Sequence, residues 1–129
     1  LSRRWGLLLP LGIIVLSDLV IGFHDVIAFT WAGVLLTGLI GWWLRRGPGA
    51  GRVAAASVAG STVFFLLTNF GVWLLGHGST MYPRTLSGLL ECYAAALPFY
   101  RNGLFGDLLY TSAFFGLYAL ATARRPQTA

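Results

Sequence analysis

Runs of mostly apolar residues, each near the length that crosses a bilayer as a helix, fill this sequence, with short polar pieces between them. A helix needs about 20 such residues to span the hydrocarbon. Trp5–Phe23 is the first run, apolar except for Ser17 and Asp18 near its end, with Pro10 tolerated in its early turns. Val26–Leu44 is the second. Trp42 and Trp43 followed by Arg45 and Arg46 give it an aromatic and basic interfacial edge. The piece RRGPGAGR reads as a loop, because Gly and Pro break the helix there. Val53–Gly76 is the third run, polar at Ser57, Ser61, Thr62, Thr68 and Asn69, and the turn-rich HGSTMYP closes it. Leu104–Ala123 is the last, with Asp107 near its start and Arg124 and Arg125 behind it.

One segment is too short to span. Leu86–Tyr100 has 15 residues and contains Glu91 and Pro98, which suits a re-entrant or interfacial helix. The expected fold is therefore all-α, a polytopic membrane helix bundle forming one integral domain over residues 1–129. It has four spanning helices, over residues 5–23, 26–44, 53–76 and 104–123, and a short helix over residues 85–100.

Composition excludes the alternatives. Only 10% of residues are charged and mean hydropathy is +0.73, whereas a soluble domain carries about 25% charged residues. A chain this short cannot hide so much apolar surface in one core, and its apolar and aromatic content excludes disorder. The lipid bilayer is the expected surrounding partner. The nine basic residues are all arginine, and net charge is +5. In a soluble protein that balance would point to nucleic acid. Here the arginines stand between apolar runs, where they set orientation, and no nucleic-acid partner is expected. If residues 85–100 dip in and return, seven of the nine arginines share one side of the membrane. Both visible ends and the RRGPGAGR loop are then cytoplasmic. The His24 loop, the HGSTMYP turn and the Tyr82–Asn102 hairpin face outward.

Ionisable groups at membrane depth are costly and face a cavity, a partner or water. Asp18, His24 and Asp25 cluster at the outer end of the first run, and Asp107 shares a face with Thr111 and Tyr118. Asn69 and Trp73 are four apart, as are Ser87 and Glu91. All fall in the outer half, where they are expected to line one outward-open pocket roofed by the hairpin. Structural readings stand beside that one. Asp18 and Asp107 can pair with Arg84 or Arg101 or cap helices, Glu91 can pair with either arginine, and His24 and His77 read as solvated loop histidines. Cys92, the only cysteine, reads as a small apolar filler. Gly33, Thr37 and Gly41 recur every four residues, as do Ala56 and Gly60 and Ser57 and Ser61. Such small residues let helices approach closely, within the chain or against a partner. No zinc-hydrolase, serine-hydrolase or nucleotide-binding string occurs, and no cofactor or metal is expected.

Three strings, LSDLVIGFHD, TNFGVWLLG and MYPRTLSGLLECYAAALPFYRNGLFGDLLYT, give the chain a family resemblance from Ser2 to about Tyr118. It resembles a group of bacterial inner-membrane proteins usually described as candidate transport proteins. That group is in turn similar to the S components that capture vitamins and other micronutrients for energy-coupling-factor transporters. The resemblance marks Asp18, Gly22, Phe23 and His24, then Asn69, Phe70, Gly71 and Trp73, then Tyr82, Pro83, Cys92 and Tyr93. Leu97, Pro98, Phe99, Arg101, Asn102, Gly106 and Asp107 complete the pattern. It also implies a truncated six-helix fold, with further N-terminal apolar segments preceding Arg3, and an energy-coupling membrane subunit with its ATPases as partners.

The leading expectation is an uptake protein whose pocket holds a small polar or aromatic solute. Asp18, His24, Asn69, Glu91, Arg101, Asn102 and Asp107 would hydrogen-bond it, and Trp73, Tyr82 and Tyr93 would stack on it. The alternatives are an intramembrane enzyme using Asp18, His24 and Glu91, and a non-catalytic scaffold using the small-residue faces.

Overall fold

The computed structural model describes residues 5–44, 47, 49–75 and 81–123. Among these residues the chain is all-helical: α1 (Trp5–Ile21), α2 (Ile27–Leu44), α3 (Ala50–Leu75) and α4 (Leu86–Ala123). A helix satisfies its own backbone polar groups, as a chain in hydrocarbon must. The three longer helices are long and apolar enough to cross a membrane, and α1 is a shorter apolar helix. The surface agrees with an apolar surrounding. Val20 is 88% exposed, Phe99 78% and Ile21 77%, while Asp18 is only 5% exposed.

Local chemistry sets the ends. Gly22, at φ 106°, ends α1, its N–H bonded to the Asp18 carbonyl at 2.8 Å. Only glycine adopts that backbone readily, so α1 stops two residues short of the expected Phe23. The α1–α2 turn closes with the Ile27 N–H on the His24 carbonyl at 3.1 Å. α3 starts at Ala50, inside the expected loop, with the Val53 N–H on the Gly49 carbonyl at 2.9 Å. The hydroxyl of Thr85 caps α4 by accepting the Gly88 N–H at 3.2 Å. A side chain at Gly88 has no room, because its Cβ would overlap the Pro83 carbonyl.

The separate short helix is corrected by the structure. Residues 86–100 are the first part of α4, which runs 38 residues without interruption, with Pro98 inside it. Proline removes one N–H and frees the carbonyl four residues back. That loss is local, and α3 holds α4 on both sides of Pro98 through Tyr93, Tyr100 and Asp107. The helix is about 57 Å long at 1.5 Å per residue. This is nearly twice a hydrocarbon core of about 30 Å.

The helices pack in chain order, α1 on α2, α2 on α3 and α3 on α4, and α1 touches neither α3 nor α4. Among the described residues the molecule is an open row and not a closed bundle. Glycines make the α2–α3 contact close. A Cβ at Gly71 would lie 2.6 Å from the Phe29 ring, one at Gly33 2.8 Å from Phe64, and one at Gly60 3.1 Å from Thr37. The small-residue spacing thus serves packing within the chain. Six of the arginines and His77 lie outside the described residues, namely Arg3, Arg4, Arg45, Arg46, Arg124 and Arg125.

Candidate functional site

The expected single pocket divides into two separate polar places. The first joins α1 to α2. The Trp31 indole Nε1 donates to Asp18 Oδ2 at 2.7 Å, and His24 Nε2 lies 3.8 Å from Asp18 Oδ1. Asp18 is buried. A buried carboxylate with a good donor and an imidazole beside it is a clasp between two helices.

The second place lies between α3 and α4, with α2 as its floor. It is a cavity of about 530 Å³, within the range of about 300–1,000 Å³ usual for small-molecule sites. Antiparallel packing sets its walls, since residues seven apart on α4 return to the same face. Tyr93 OH donates to the Leu66 carbonyl at 2.8 Å. Tyr100 OH meets Thr62 Oγ1 at 2.8 Å, and Thr62 also reaches the Val58 carbonyl at 2.7 Å. Each hydroxyl there has a proton to give, so Tyr100 donates to Thr62 and Thr62 to Val58. The Phe65 ring packs 4.7 Å from the Tyr100 ring and 5.5 Å from that of Tyr93.

Asp107 completes the stripe and differs from it. Ser61 Oγ lies 2.5 Å from Asp107 Oδ2 and 2.9 Å from its own helix's Ser57 carbonyl. A hydroxyl has one proton to give. Ser61 can therefore release Asp107 and still be satisfied on Ser57. Asp107 is exposed to the cavity, and among the described residues it is the only charged one lining it. Ser61 stands near the middle of α3, so Asp107 lies at mid-length of the row and not near an end. A smaller cavity of about 310 Å³ continues toward Leu44 and Val53 and shares Thr37, Gly60, Ser61 and Asp107 with the first. The Ser61–Asp107 contact thus belongs to the walls of both cavities.

Of the expected site residues, Asn69 and Asp107 line the larger cavity. Asn69 Nδ2 donates to the Phe65 carbonyl at 2.9 Å, and the Cys92 thiol reaches the Asn69 carbonyl at 3.4 Å. Cys92 is buried, as a small apolar filler would be. The others lie elsewhere. Asp18 and His24 belong to the α1–α2 clasp. Trp73 ties α3 to the connection before α4, its Nε1 donating to the Pro83 carbonyl at 3.1 Å. Tyr93 braces α4 on α3, and Tyr82 stands outside the α3–α4 cavity. Glu91, Arg101 and Asn102 are exposed and stand outside it too. Neither Asp107 nor Glu91 pairs with Arg84 or Arg101 among the described residues. The Asp18, His24 and Glu91 group is not assembled, because α4 does not touch α1.

Sequence reasoning missed Ser61, Thr62 and Tyr100 as site residues. The signal was the spacing of Tyr93, Tyr100 and Asp107 by seven, which an assumed break after Tyr100 cut in two.

No curated protein and no solved structure matches the chain. A family profile does, over residues 1–128, and the chain belongs to that family, a family of unknown function designated DUF6580.

Proposed function

We propose that this chain is a membrane-embedded solute-binding protein for uptake, with its site in the α3–α4 crevice. The reading rests on one observation above all. A lone carboxylate, Asp107, stands at mid-length of apolar helices inside a cavity of about 530 Å³ walled by aromatic rings and hydroxyls. Such a group is expensive in hydrocarbon, and its usual use is contact with a solute or ion. The solute is small and polar or aromatic. It sits between Asn69 and Asp107 against Phe64, Phe65 and Tyr100.

In this reading the larger cavity faces outward in a bacterial inner membrane, and both visible ends are cytoplasmic. A single crossing by α4 keeps the ends on one side, as the arginine distribution requires. Release of Ser61 to the Ser57 carbonyl, as the solute takes its place on Asp107, opens the way toward the smaller cavity. The S-component resemblance adds an energy-coupling subunit with ATPases as the partner that drives this step. The enzyme and scaffold readings have less support, since Glu91 stands on α4, away from the Asp18–His24 pair, and Gly33 and Gly60 are occupied within the chain.

The test is native mass spectrometry of the full-length protein purified from membranes. A small molecule that leaves on Asp107→Ala substitution is the expected result. Identical spectra with lipid alone for both proteins would overturn the reading.

A further inference from the structure

The cavity lining is rich in acceptors and poor in donors. Thr37 Oγ1 donates to the Gly33 or Val34 carbonyl at 2.9 Å, and Thr68 Oγ1 to the Phe64 carbonyl at 2.8 Å. Ser61 has two acceptors for one proton, and the Tyr100 proton is used on Thr62. One Asn69 N–H goes to the Phe65 carbonyl. What remains toward the space is mainly lone pairs, of the Thr37 and Thr68 hydroxyls, of Asn69 Oδ1 and of the Asp107 carboxylate. No arginine lines the cavity among the described residues. An anionic solute would meet a carboxylate with nothing to offset it, and a solute rich in acceptors would find few donors.

We propose that the solute is a small organic cation carrying N–H donors, an ammonium or amidinium attached to an aromatic or alkyl body. This rests on the solute-binding reading above and names its substrate class. The cationic head lies on Asp107 and draws its carboxylate from Ser61, whose proton returns to the Ser57 carbonyl. A charge pair in surroundings this apolar is much stronger than in water. The body of the solute lies among Phe64, Phe65, Phe99 and Tyr100, whose ring faces also attract cations.

Three probes of one shape and different charge test it: benzylammonium, benzyl alcohol and benzoate, with the full-length protein in lipid nanodiscs and saturation-transfer NMR as the readout. Benzylammonium should bind at least about tenfold more tightly than benzoate, a difference that a single charge contact readily supplies. Asp107→Asn should remove that preference, and Asp107→Glu should keep it. Equal or tighter binding of benzoate by the unaltered protein would overturn the proposal whatever the variants do. If the neutral or anionic probe binds best and Phe64→Ala weakens it, the solute reading stands and the cation class falls. If none of the three binds, both fall together.

Discussion

Asp18 and Asp107 are both carboxylates on apolar helices, and the structure gives them opposite surroundings. Asp18 is 5% exposed, holds the Trp31 indole at 2.7 Å and stands outside the α3–α4 cavity. Asp107 faces a cavity and is held by a hydroxyl that has a second acceptor 2.9 Å away. A carboxylate whose partner has no alternative serves the fold. One whose partner can let go is available to a ligand. Residue type is the same in the two places, so the difference lies in the position along the helix and in what the neighbouring helix brings.

The largest expected effect separates the two by function. Asp107→Ala should lower solute uptake at least about tenfold, the ratio that corresponds to 1.4 kcal/mol. Asp18→Ala should leave uptake per folded molecule unchanged. Transport into vesicles, normalised to folded protein, measures both, and equal losses would break the comparison.

Stability should rank them the other way. Asp18→Ala strands the Trp31 N–H and should cost about 1–3 kcal/mol, read from unfolding in detergent. Asp107→Ala should cost less, because Ser61 keeps its bond to Ser57. A similar loss of about 1–3 kcal/mol is expected for Gly71→Ala, whose Cβ would press on the Phe29 ring. Gly106→Ala, with nothing within 4 Å of the new Cβ, is the neutral reference. The smallest effect sharpens the contrast within the crevice itself. Tyr100→Phe removes a fixed bond to Thr62 and should cost about 0.6 kcal/mol, an average value for such bonds between membrane helices. Uptake should survive it, since the rings that wall the cavity stay in place.

Much of the helical content is legible in the amino-acid order. The apolar runs marked α1, α2 and α3 to within a few residues at each end, and the small-residue spacing offered Gly33, Thr37 and Gly60 as close-packing positions without saying against what. The single break between residues 100 and 104 was not there. Pro98, Asn102 and Gly103 each weaken a helix locally, and nothing in their identities shows that α3 braces both sides of them. Placing that break wrongly separated Tyr93 and Tyr100 from Asp107 and moved Asp107 toward a helix end. The convergence of all the acids failed for a related reason. Helix periodicity tells which residues share a face of one helix, but not which helices touch.

The amino-acid order alone determined a chain of apolar helices with very few ionisable groups, because hydrocarbon rejects exposed backbone and unpaired charge whatever the helices pack against. Only the tertiary structure decided which of those groups is a clasp and which opens onto a cavity. Helices packed in a row place Asp18 against Trp31 and Asp107 against Ser61. Burial and hydrogen-bond partners belong to pairs of helices, and no single helix carries them in its sequence.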